Sequence, residues 1–470
     1  MHSLLAPLEE DRRSATAAAR RVPVLLPVAL EQTYDYRLPD DVQAPIGAFV
    51  LVPFGPQQRI GVVWDRSVGE SGKPVTDDKL KVITAAIADV APLPVLSMRF
   101  AEWVARYTLA PLGMVVRMMM GAPAVFEPSK PRIGVVCNKE APEPPRMTPA
   151  RKRALQIATD GLVRAKQALA AEAACSTGVI DGLIAAGTLT EVAIPERRLP
   201  VPNPAHTHVD FSAAQASAVQ AMRAAADAQS FSVTLLDGVT GSGKTEVYFE
   251  AVARALERGR QALIMLPEIA LTSQFMDRFA ARFGCAPVEW HSALAPAERA
   301  RAWRATANGQ ARVVVGARSA LFLPYQDLGL IVIDEEHDGG FKQEDRVHYQ
   351  ARDMAVVRGS LAKHAVVLAS ATPSIESHVN AQSGRYGYVG LPARYSGAQL
   401  PDVATIDLRQ HPPERGKWLS PLLVAAMTET LGKTQQVLLF LNRRGYAPLT
   451  LCRACGHRID CPQCTAWLVE

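Results

Sequence analysis

The stretch SVTLLDGVTGSGKTE occupies Ser232 to Glu246 and decides the fold of the chain around it. An apolar, β-branched segment leads into a glycine-rich turn and then into helix-forming residues, which predicts a strand, a loop and a helix. The turn has the spacing G-x-x-x-x-G-K-T, in which backbone N–H groups and the helix N-terminus face phosphate oxygens. Lys244 is predicted to neutralise the β- and γ-phosphates of ATP, and the Thr245 hydroxyl to bind Mg²⁺. The remaining phosphate-loop residues are Gly238, Val239, Thr240, Gly241, Ser242 and Gly243.

Apolar runs recur on both sides of this loop, with helical segments between them. They occupy residues 233–236, 262–266, 312–315, 330–333 and 365–369. Strands that alternate with helices and are this apolar predict a parallel sheet covered on both faces. We therefore expect a P-loop α/β lobe over residues 205–435.

One of these strands ends in acids, in the string I-D-E-E-H. Asp334 is predicted to hold Mg²⁺ through water, and Glu335 to orient and activate the attacking water. The carboxyl end of a parallel strand is where ligands bind, which places both acids near the phosphate loop. An exposed acidic turn is the alternative for this string taken alone.

Composition describes an ordinary soluble protein of 470 residues, with 48% hydrophobic and 21% charged residues and a net charge of +5. The basic balance is compatible with a polyanionic partner but does not require one. No apolar run is long enough to span a bilayer, so no membrane role and a cytoplasmic location are expected. Residues 1–21 combine arginines with acids, which predicts a disordered leader.

The chain before the P-loop lobe divides at two proline clusters. Residues 22–126 carry short strands with turn signals and one amphipathic helix, which predicts a small β domain in which Trp103 and Tyr107 are core residues. Residues 127–146 are predicted to be a linker. The order of three helices and a strand over 147–204 fits a winged helix, and a plain three-helix bundle without a nucleic-acid role is the alternative.

Further stretches follow other strands of the lobe. In GARSA, residues 316–320, Arg318 and Ser319 offer a guanidinium and a hydroxyl to a nucleic-acid backbone. The order GVTGSGKTE, LPEIALTSQ, HSALAPAERARAW, GARSALFLP, IVIDEEHD and LASATPSIES resembles the primosomal protein N′ (PriA) family of replication-restart DNA helicases, which belong to superfamily 2. The resemblance covers the chain from about Val22 to its end and implies a RecA-like motor lobe.

The resemblance also implies DNA-binding residues. In that family the N-terminal β domain captures the 3′ end of a nascent strand. Carried over, Asp35 recognises the terminal base, Tyr34 and Tyr36 line the pocket, and Gly55 and Lys81 complete it. A loop after D-E-E-H, here residues 341–352, couples DNA binding to ATP hydrolysis, with His348 and Tyr349 expected to stack on bases.

Two C-x-x-C pairs close the chain and predict Zn²⁺ binding. The cysteines are Cys452, Cys455, Cys461 and Cys464. The short spacing between the pairs favours one half of a separate site for each pair, and the family's two interleaved zinc sites built from eight cysteines agree. With four of those eight cysteines present, weak zinc binding is expected.

The resemblance implies an ATP-dependent 3′→5′ DNA helicase that recognises stalled forks and single-stranded DNA. Primosome and single-strand-binding proteins are its implied partners, and a monomer is expected. Residues 436–470 correspond to the start of a second motor lobe, and the missing remainder makes a non-motor scaffold that binds forks and 3′ ends the alternative, with poor or no ATP hydrolysis. An RNA helicase or restriction-type translocase is a third reading, disfavoured by the β domain and the cysteine pairs.

Overall fold

The computed structural model describes residues 20–65, 76, 79–127, 133–138, 140–141, 144, 146–194, 199–267, 273–394, 402–414 and 417–440. The chain divides into two compact units, Met1–Gly397 and Ala398–Glu470. The boundary between the units lies before residue 435, where the P-loop lobe was predicted to end. The second unit contains helix α12 (Pro421–Gly432). Ser420 caps its N-terminus, and the Ser420 side chain accepts a hydrogen bond from the Leu423 N–H.

The N-terminal part of the first unit is an antiparallel five-stranded sheet in the order β2-β1-β4-β3-β5. Its strands are β1 (Arg21–Leu25), β2 (Tyr34–Arg37), β3 (Phe49–Phe54), β4 (Gln57–Val63) and β5 (Ala85–Ala86). One face buries apolar side chains such as Val24, Val50 and Val52. The small β domain predicted from the sequence is therefore present.

Two helices follow this sheet, α1 (Val95–Thr108) and α2 (Leu112–Met119). Phe100 and Val104 of α1 are buried, as the helical periodicity predicts. Tyr107 is 66% exposed and stacks on the partly buried Trp103, with ring centroids 4.8 Å apart. The prediction that Tyr107 is a core residue is therefore wrong, because its position on α1 faces away from the packed side.

The segment predicted as a linker contains strand β6 (Ile133–Cys137). This strand lies centrally in a three-stranded antiparallel sheet, β7-β6-β8, with β7 at Arg164–Ala165 and β8 at Leu189–Ala193. Three helices pack on the sheet: α3 (Pro149–Ala158), α4 (Lys166–Glu172) and α5 (Thr177–Ala185). Strand β6 was not predicted, because prolines flank it in the sequence and its pairing with β8 is a contact between distant residues.

The P-loop lobe contains a parallel seven-stranded sheet in the order β11-β12-β10-β13-β16-β9-β17. Its strands are β9 (Ser232–Gly238), β10 (Gln261–Met265), β11 (Val288–Trp290), β12 (Val313–Gly316), β13 (Leu328–Asp334), β16 (Ala365–Ser370) and β17 (Gly387–Leu391). A short hairpin, β14 (Lys342–Gln343) with β15 (Tyr349–Gln350), follows β13. The helices are α6 (Ala213–Asp227), α7 (Lys244–Glu257), α8 (Ser273–Phe283), α9 (Pro296–Ala307), α10 (Ala351–Ala362) and α11 (Ile375–Gln382).

Both faces of this sheet are buried, as the apolar strands predict. One face packs against α6, α7 and α8 around Leu236, Phe249 and Phe279. The buried cluster on the other face continues into α1 and α2, so the N-terminal helices and the lobe share one core. Among the described residues no single helix is long and apolar enough to cross a membrane, although α4 and α5 together pass that test with a 114° bend between them.

Candidate nucleotide and nucleic-acid site

The phosphate loop lies at the carboxyl edge of the sheet, between β9 and α7. Gly243 precedes α7 with φ +83°, a conformation that a residue with a side chain rarely adopts. The Lys244 ammonium, 9% exposed, donates a 2.7 Å hydrogen bond to the carbonyl of Gly238. In this arrangement the lysine is folded back on its own loop, where its carbonyl partner stands in for phosphate oxygens.

Residues of the loop fit a bound nucleotide. The Ser242 Oγ atom is buried and has no hydrogen-bond partner within the described part of the chain. A buried hydroxyl without a partner is costly, and a phosphate oxygen would satisfy it. The N-terminus of α7 adds backbone N–H groups and its dipole at the same place.

Gln215 supports the phosphate loop and could not be identified from sequence patterns. It lies near the start of α6, where it forms a reciprocal capping pair with Ser212. Its side-chain amide donates a 2.8 Å hydrogen bond to the carbonyl of Ser242. The S-x-x-Q spacing of the cap was visible in the sequence, but the contact with the phosphate loop depends on tertiary structure.

The acids lie on β13, separated from β9 by β16 alone. Asp334 is paired with Ala369 of β16, and Ser370 of β16 is paired with Asp237 of β9. Glu335 has φ +50°, an uncommon conformation for a residue with a side chain and one that collects at functional sites. The predicted acids therefore stand at the same edge as the phosphate loop.

Two hydrogen bonds fix the Asp334 carboxylate. Its Oδ2 accepts from the Tyr248 hydroxyl at 2.8 Å, and its Oδ1 accepts from the Glu335 N–H at 3.0 Å. Burial raises the pKa of Asp334 above its ordinary value, and the Tyr248 hydrogen bond opposes that rise. The Asp334 carboxylate lies at the same edge of the sheet as the phosphate loop, and it suits Mg²⁺, which prefers oxygen ligands and retains waters.

The next two residues of the acid string bind the end of β16 and the segment that follows it. His337 Nδ1 lies 2.8 Å from the Ser370 hydroxyl. Glu336 is fully buried and accepts hydrogen bonds from the Ser374 N–H at 2.6 Å and the Ser377 hydroxyl at 2.9 Å. Its carboxylate also pairs with Arg352 at 3.2 Å. The acid string is thus tied to the turn that begins at Ser370.

The predicted backbone-binding residues follow β12 at the same edge of the sheet. Arg318 donates hydrogen bonds to the carbonyls of Gly340 at 3.0 Å and Lys342 at 2.7 Å. Ser319 accepts a 3.1 Å hydrogen bond from the Trp290 indole. Gly316 ends β12 so close to that tryptophan that a Cβ would lie 2.4 Å from the Trp290 carbonyl oxygen. Both predicted residues are therefore half-buried and held by neighbours.

The loop after the acids separates the two residues predicted to stack on bases. His348 is exposed. Tyr349 is 6% exposed, packs edge-on against Phe322 with centroids 5.2 Å apart, and has its pKa raised to about 12 by burial. The prediction that Tyr349 stacks on DNA is wrong for this structure, because pairing of β15 with β14 turns its ring into the core.

The predicted 3′-end pocket is only partly assembled. Tyr34 is half-buried, with its ring 5.5 Å from that of Phe54, the residue before Gly55. Lys81 is exposed and accepts a backbone hydrogen bond from Arg37 of β2 at 2.9 Å. These residues lie around one end of the N-terminal sheet.

The other two pocket residues are engaged elsewhere. Asp35 pairs with Arg21 of β1 at 3.2 Å. Tyr36 is 3% exposed and donates to the Pro53 carbonyl, which makes it a core residue and corrects its assignment to the pocket wall. Side chains alternate along a strand, so Asp35 faces away from both tyrosines.

The four cysteines predicted to bind zinc lie outside the described residues. They are Cys452, Cys455, Cys461 and Cys464. Among the described residues, no group of three or more His, Cys, Asp or Glu side chains could hold a metal ion.

Comparison with known families matches two parts of the first compact unit. Residues 23–121 match the 3′DNA-binding domain (3′BD) of PriA, and residues 212–380 match the DEAD/DEAH box helicase family. The replication restart protein PriA of Rickettsia conorii is 35% identical over 451 residues, covering 95% of this chain and 57% of that protein. That of Haemophilus influenzae is 37% identical over 461 residues, covering 94% and 61%, and that of Bacillus subtilis is 40% identical over 251 residues, covering 53% and 31%.

The parallel sheet, the phosphate loop and the acid strand lie in the part that matches the DEAD/DEAH box helicase family, and the N-terminal sheet lies in the part that matches the 3′DNA-binding domain. Beyond this class, the chain is similar along nearly its whole length to the replication restart protein PriA of both Rickettsia conorii and Haemophilus influenzae. It spans 57% of the length of the Rickettsia conorii relative.

Proposed function

We propose that the chain provides the ATP-hydrolysing and fork-recognising part of an ATP-dependent 3′→5′ DNA helicase of replication restart. The observation that carries the proposal is the convergence of the phosphate loop, the acids and the Arg318 segment at one edge of a parallel sheet. A β domain with the 3′DNA-binding family pattern shares a core with that lobe.

In the proposed mechanism the phosphate loop binds ATP through its backbone N–H groups. Lys244 exchanges its Gly238 carbonyl partner for phosphate oxygens, and Gln215 keeps the loop in place through Ser242. Mg²⁺, when bound by Thr245 and Asp334, neutralises phosphate charge. Glu335 orients and deprotonates the attacking water.

DNA-stimulated ATP hydrolysis tests this proposal, with Lys244→Ala as the matched control. We expect hydrolysis that rises with single-stranded or forked DNA and disappears in the variant. Hydrolysis that persists in Lys244→Ala, or is absent from the unaltered protein, would contradict the motor assignment.

Recognition of the 3′ end is a separate part of the proposal. Asp35, with Gly55 and Lys81, is proposed to bind the terminal nucleotide, because a carboxylate accepts hydrogen bonds from exocyclic amines and repels the charge of a 3′-phosphate. Tyr34, on the other face of β2, is proposed to stack on a base that approaches from that side. Forks that end in a 3′-hydroxyl should bind more tightly than forks with a 3′-phosphate. Asp35→Ala should remove that preference, and equal affinity of the unaltered protein for both forks would refute it.

Residues 147–204 are proposed to form a winged helix that assists fork binding. The order of α3, β7, α4, α5 and β8 supports this reading. Helix α5, TGVIDGLIA, carries Asp181 and no Lys or Arg, and the Lys166 ammonium is compensated by Asp181 at 3.1 Å and Glu191 at 2.8 Å. We therefore expect Lys166→Ala to weaken fork binding less than Arg318→Ala, and the reverse order would assign the main contact to this unit.

Zinc, partners and assembly complete the proposal. The thiolate pairs 452/455 and 461/464 are chemically suited to Zn²⁺, and metal analysis of the purified protein before and after Cys→Ser replacement tests them. Primosome and single-strand-binding proteins are proposed as partners, in a cytoplasmic protein that acts as a monomer. Light scattering after size exclusion would refute the monomer if it gave a dimer mass.

A further inference from the structure

Tyr248 carries a hydroxyl that donates a hydrogen bond to one side chain expected to hold Mg²⁺, Asp334, and interacts with the other, Thr245. The residue lies one helical turn after Thr245 on α7 and is fully buried. Its hydroxyl donates a 2.8 Å hydrogen bond to Asp334 Oδ2, and the Thr245 side chain interacts with the same phenol oxygen. One phenol therefore connects the phosphate loop helix with the acid strand.

The ring and the hydroxyl of Tyr248 have separable roles. The ring packs edge-on against Phe249, with centroids 5.3 Å apart, inside the core between α7 and the sheet. Phenylalanine would keep that packing. The hydroxyl makes only polar contacts, so a variant that lacks it measures the effect of those contacts alone.

The Asp334 carboxylate needs such a contact to hold one orientation. Its Oδ1 accepts a 3.0 Å hydrogen bond from the Glu335 N–H. Glu335 has an uncommon backbone conformation. With Tyr248 on Oδ2, both oxygens are oriented, and their remaining lone pairs are fixed in direction. Without the phenol, the side chain can rotate about its χ2 angle, which is a broad torsion for aspartate.

We propose that Tyr248 is a positioning residue for the magnesium–nucleotide complex, acting through Asp334 and Thr245 without touching the nucleotide. The inference rests on the proposed nucleotide site and adds a specific requirement to it. Partners that orient a metal-binding side chain commonly contribute 10- to 100-fold to metal affinity in proteins.

The test is the affinity of Tyr248→Phe for a fluorescent ADP, measured in MgCl₂ and again in EDTA. We expect affinity in MgCl₂ to fall by about 10-fold, while affinity in EDTA stays within about twofold of the unaltered protein. Tyr325→Phe is the matched control, since that tyrosine is also buried and donates to a carbonyl, that of Ala320. An unchanged ratio between the two conditions in Tyr248→Phe would overturn the inference.

A double-mutant cycle with Asp334→Asn separates positioning from a general packing effect. If the hydroxyl acts through the Asp334 carboxylate, Tyr248→Phe should change magnesium-dependent affinity little in the Asp334→Asn background. Full additivity of the two losses would overturn the inference. Failure of the unaltered protein to bind ADP in either condition would instead refute the proposed nucleotide site.

Discussion

Glu336 is the residue at which three segments of the P-loop lobe meet. Its fully buried carboxylate receives the Ser374 N–H, the Ser377 hydroxyl and the Arg352 guanidinium. Buried carboxylates are tolerated where several donors and a cation surround them. The third residue of D-E-E-H therefore stabilises the structure around the acids, while the two residues before it are the ones proposed to act on Mg²⁺ and water.

Removing this carboxylate should destabilise the lobe strongly. Glu336→Ala removes the buried carboxylate partner of Arg352, which keeps Asp353 at 2.9 Å, and leaves the buried Ser377 hydroxyl and the Ser374 N–H without their acceptor. We expect the free energy of unfolding to fall by about 3–5 kcal/mol in urea denaturation. Glu376→Gln is the control, because Glu376 lies 3.9 Å from the same guanidinium but is 71% exposed. That exposed pair should contribute at most about 1 kcal/mol, and equal losses in both variants would contradict the prediction.

His364 should make stability depend on pH. Burial lowers its pKa from 6.5 to about 4, and its Nδ1 lies 3.0 Å from the Ala365 carbonyl. The folded protein therefore binds fewer protons than the unfolded chain between these values. Stability is complete above pH 6.5 and is lost as the pH falls towards 4, by up to about 3 kcal/mol.

Thermal denaturation across pH 4 to 7 measures this effect. His364→Gln should flatten the slope in that window. His378→Gln replaces an exposed histidine of α11 and leaves the His364 ring in place, so it should keep the slope. A slope that survives in His364→Gln would assign the pH dependence to other groups.

At the scale of elements, the segment between β13 and α10 is held at both ends by arginines. Arg318 binds the carbonyls of Gly340 and Lys342, and Arg352 binds Glu336. The β14–β15 hairpin lies between these two anchors and turns Phe341 and Tyr349 inward. Both bonds of Arg318 come from Nη1, so a DNA phosphate would bind the other nitrogens of the guanidinium while this segment stays attached to it.

Arg318 should consequently affect both DNA affinity and its coupling to ATP hydrolysis. Arg318→Ala removes one phosphate contact, so we expect the slope of log affinity against log salt for single-stranded DNA to become shallower by about 0.7. DNA stimulation of ATP hydrolysis should be lower in the variant even at saturating DNA, where weaker DNA binding no longer limits the rate. Arg346→Ala, on the exposed tip of the same segment, is the control, and equal stimulation in the Arg318 variant would refute the coupling.

At the scale of the first compact unit, the N-terminal helices and the P-loop lobe form one packed body. The Trp303 indole donates to the Met119 carbonyl at 2.8 Å, and Phe100 packs on Phe322 with centroids 5.3 Å apart. Arg358 of α10 donates to Ser97 of α1 at 3.3 Å, and burial lowers the pKa of this guanidinium to about 10. Such an interface predicts that 3′-end binding and the nucleotide lobe are mechanically connected.

This shared core should make the two parts unfold together. We expect tryptophan fluorescence and circular dichroism to report one coincident urea transition. Phe100→Ala should lower the free energy of unfolding by about 3–5 kcal/mol, whereas Tyr107→Ala, at an exposed position of the same helix, should change it by about 0.5 kcal/mol or less. Two separated transitions would show that the parts are independent.

The sequence was enough to predict the parallel P-loop lobe, the phosphate loop and the position of the two acids, because buried apolar strands and glycine spacing are local patterns. It missed β11 and β17, since a three-residue strand and an edge strand with exposed positions carry little apolar signal. It also placed Tyr36 and Tyr349 on a binding surface.

Tertiary structure alone decided which polar and aromatic side chains meet. Gln215 reaches Ser242, Tyr248 reaches Asp334, and β6 becomes a strand through β8, although each partner is distant in sequence. Tyr349 turns inward because hairpin pairing sets which way its side chain points. Local propensity specifies elements, whereas burial and hydrogen bonding between distant elements select the residues left to form the site.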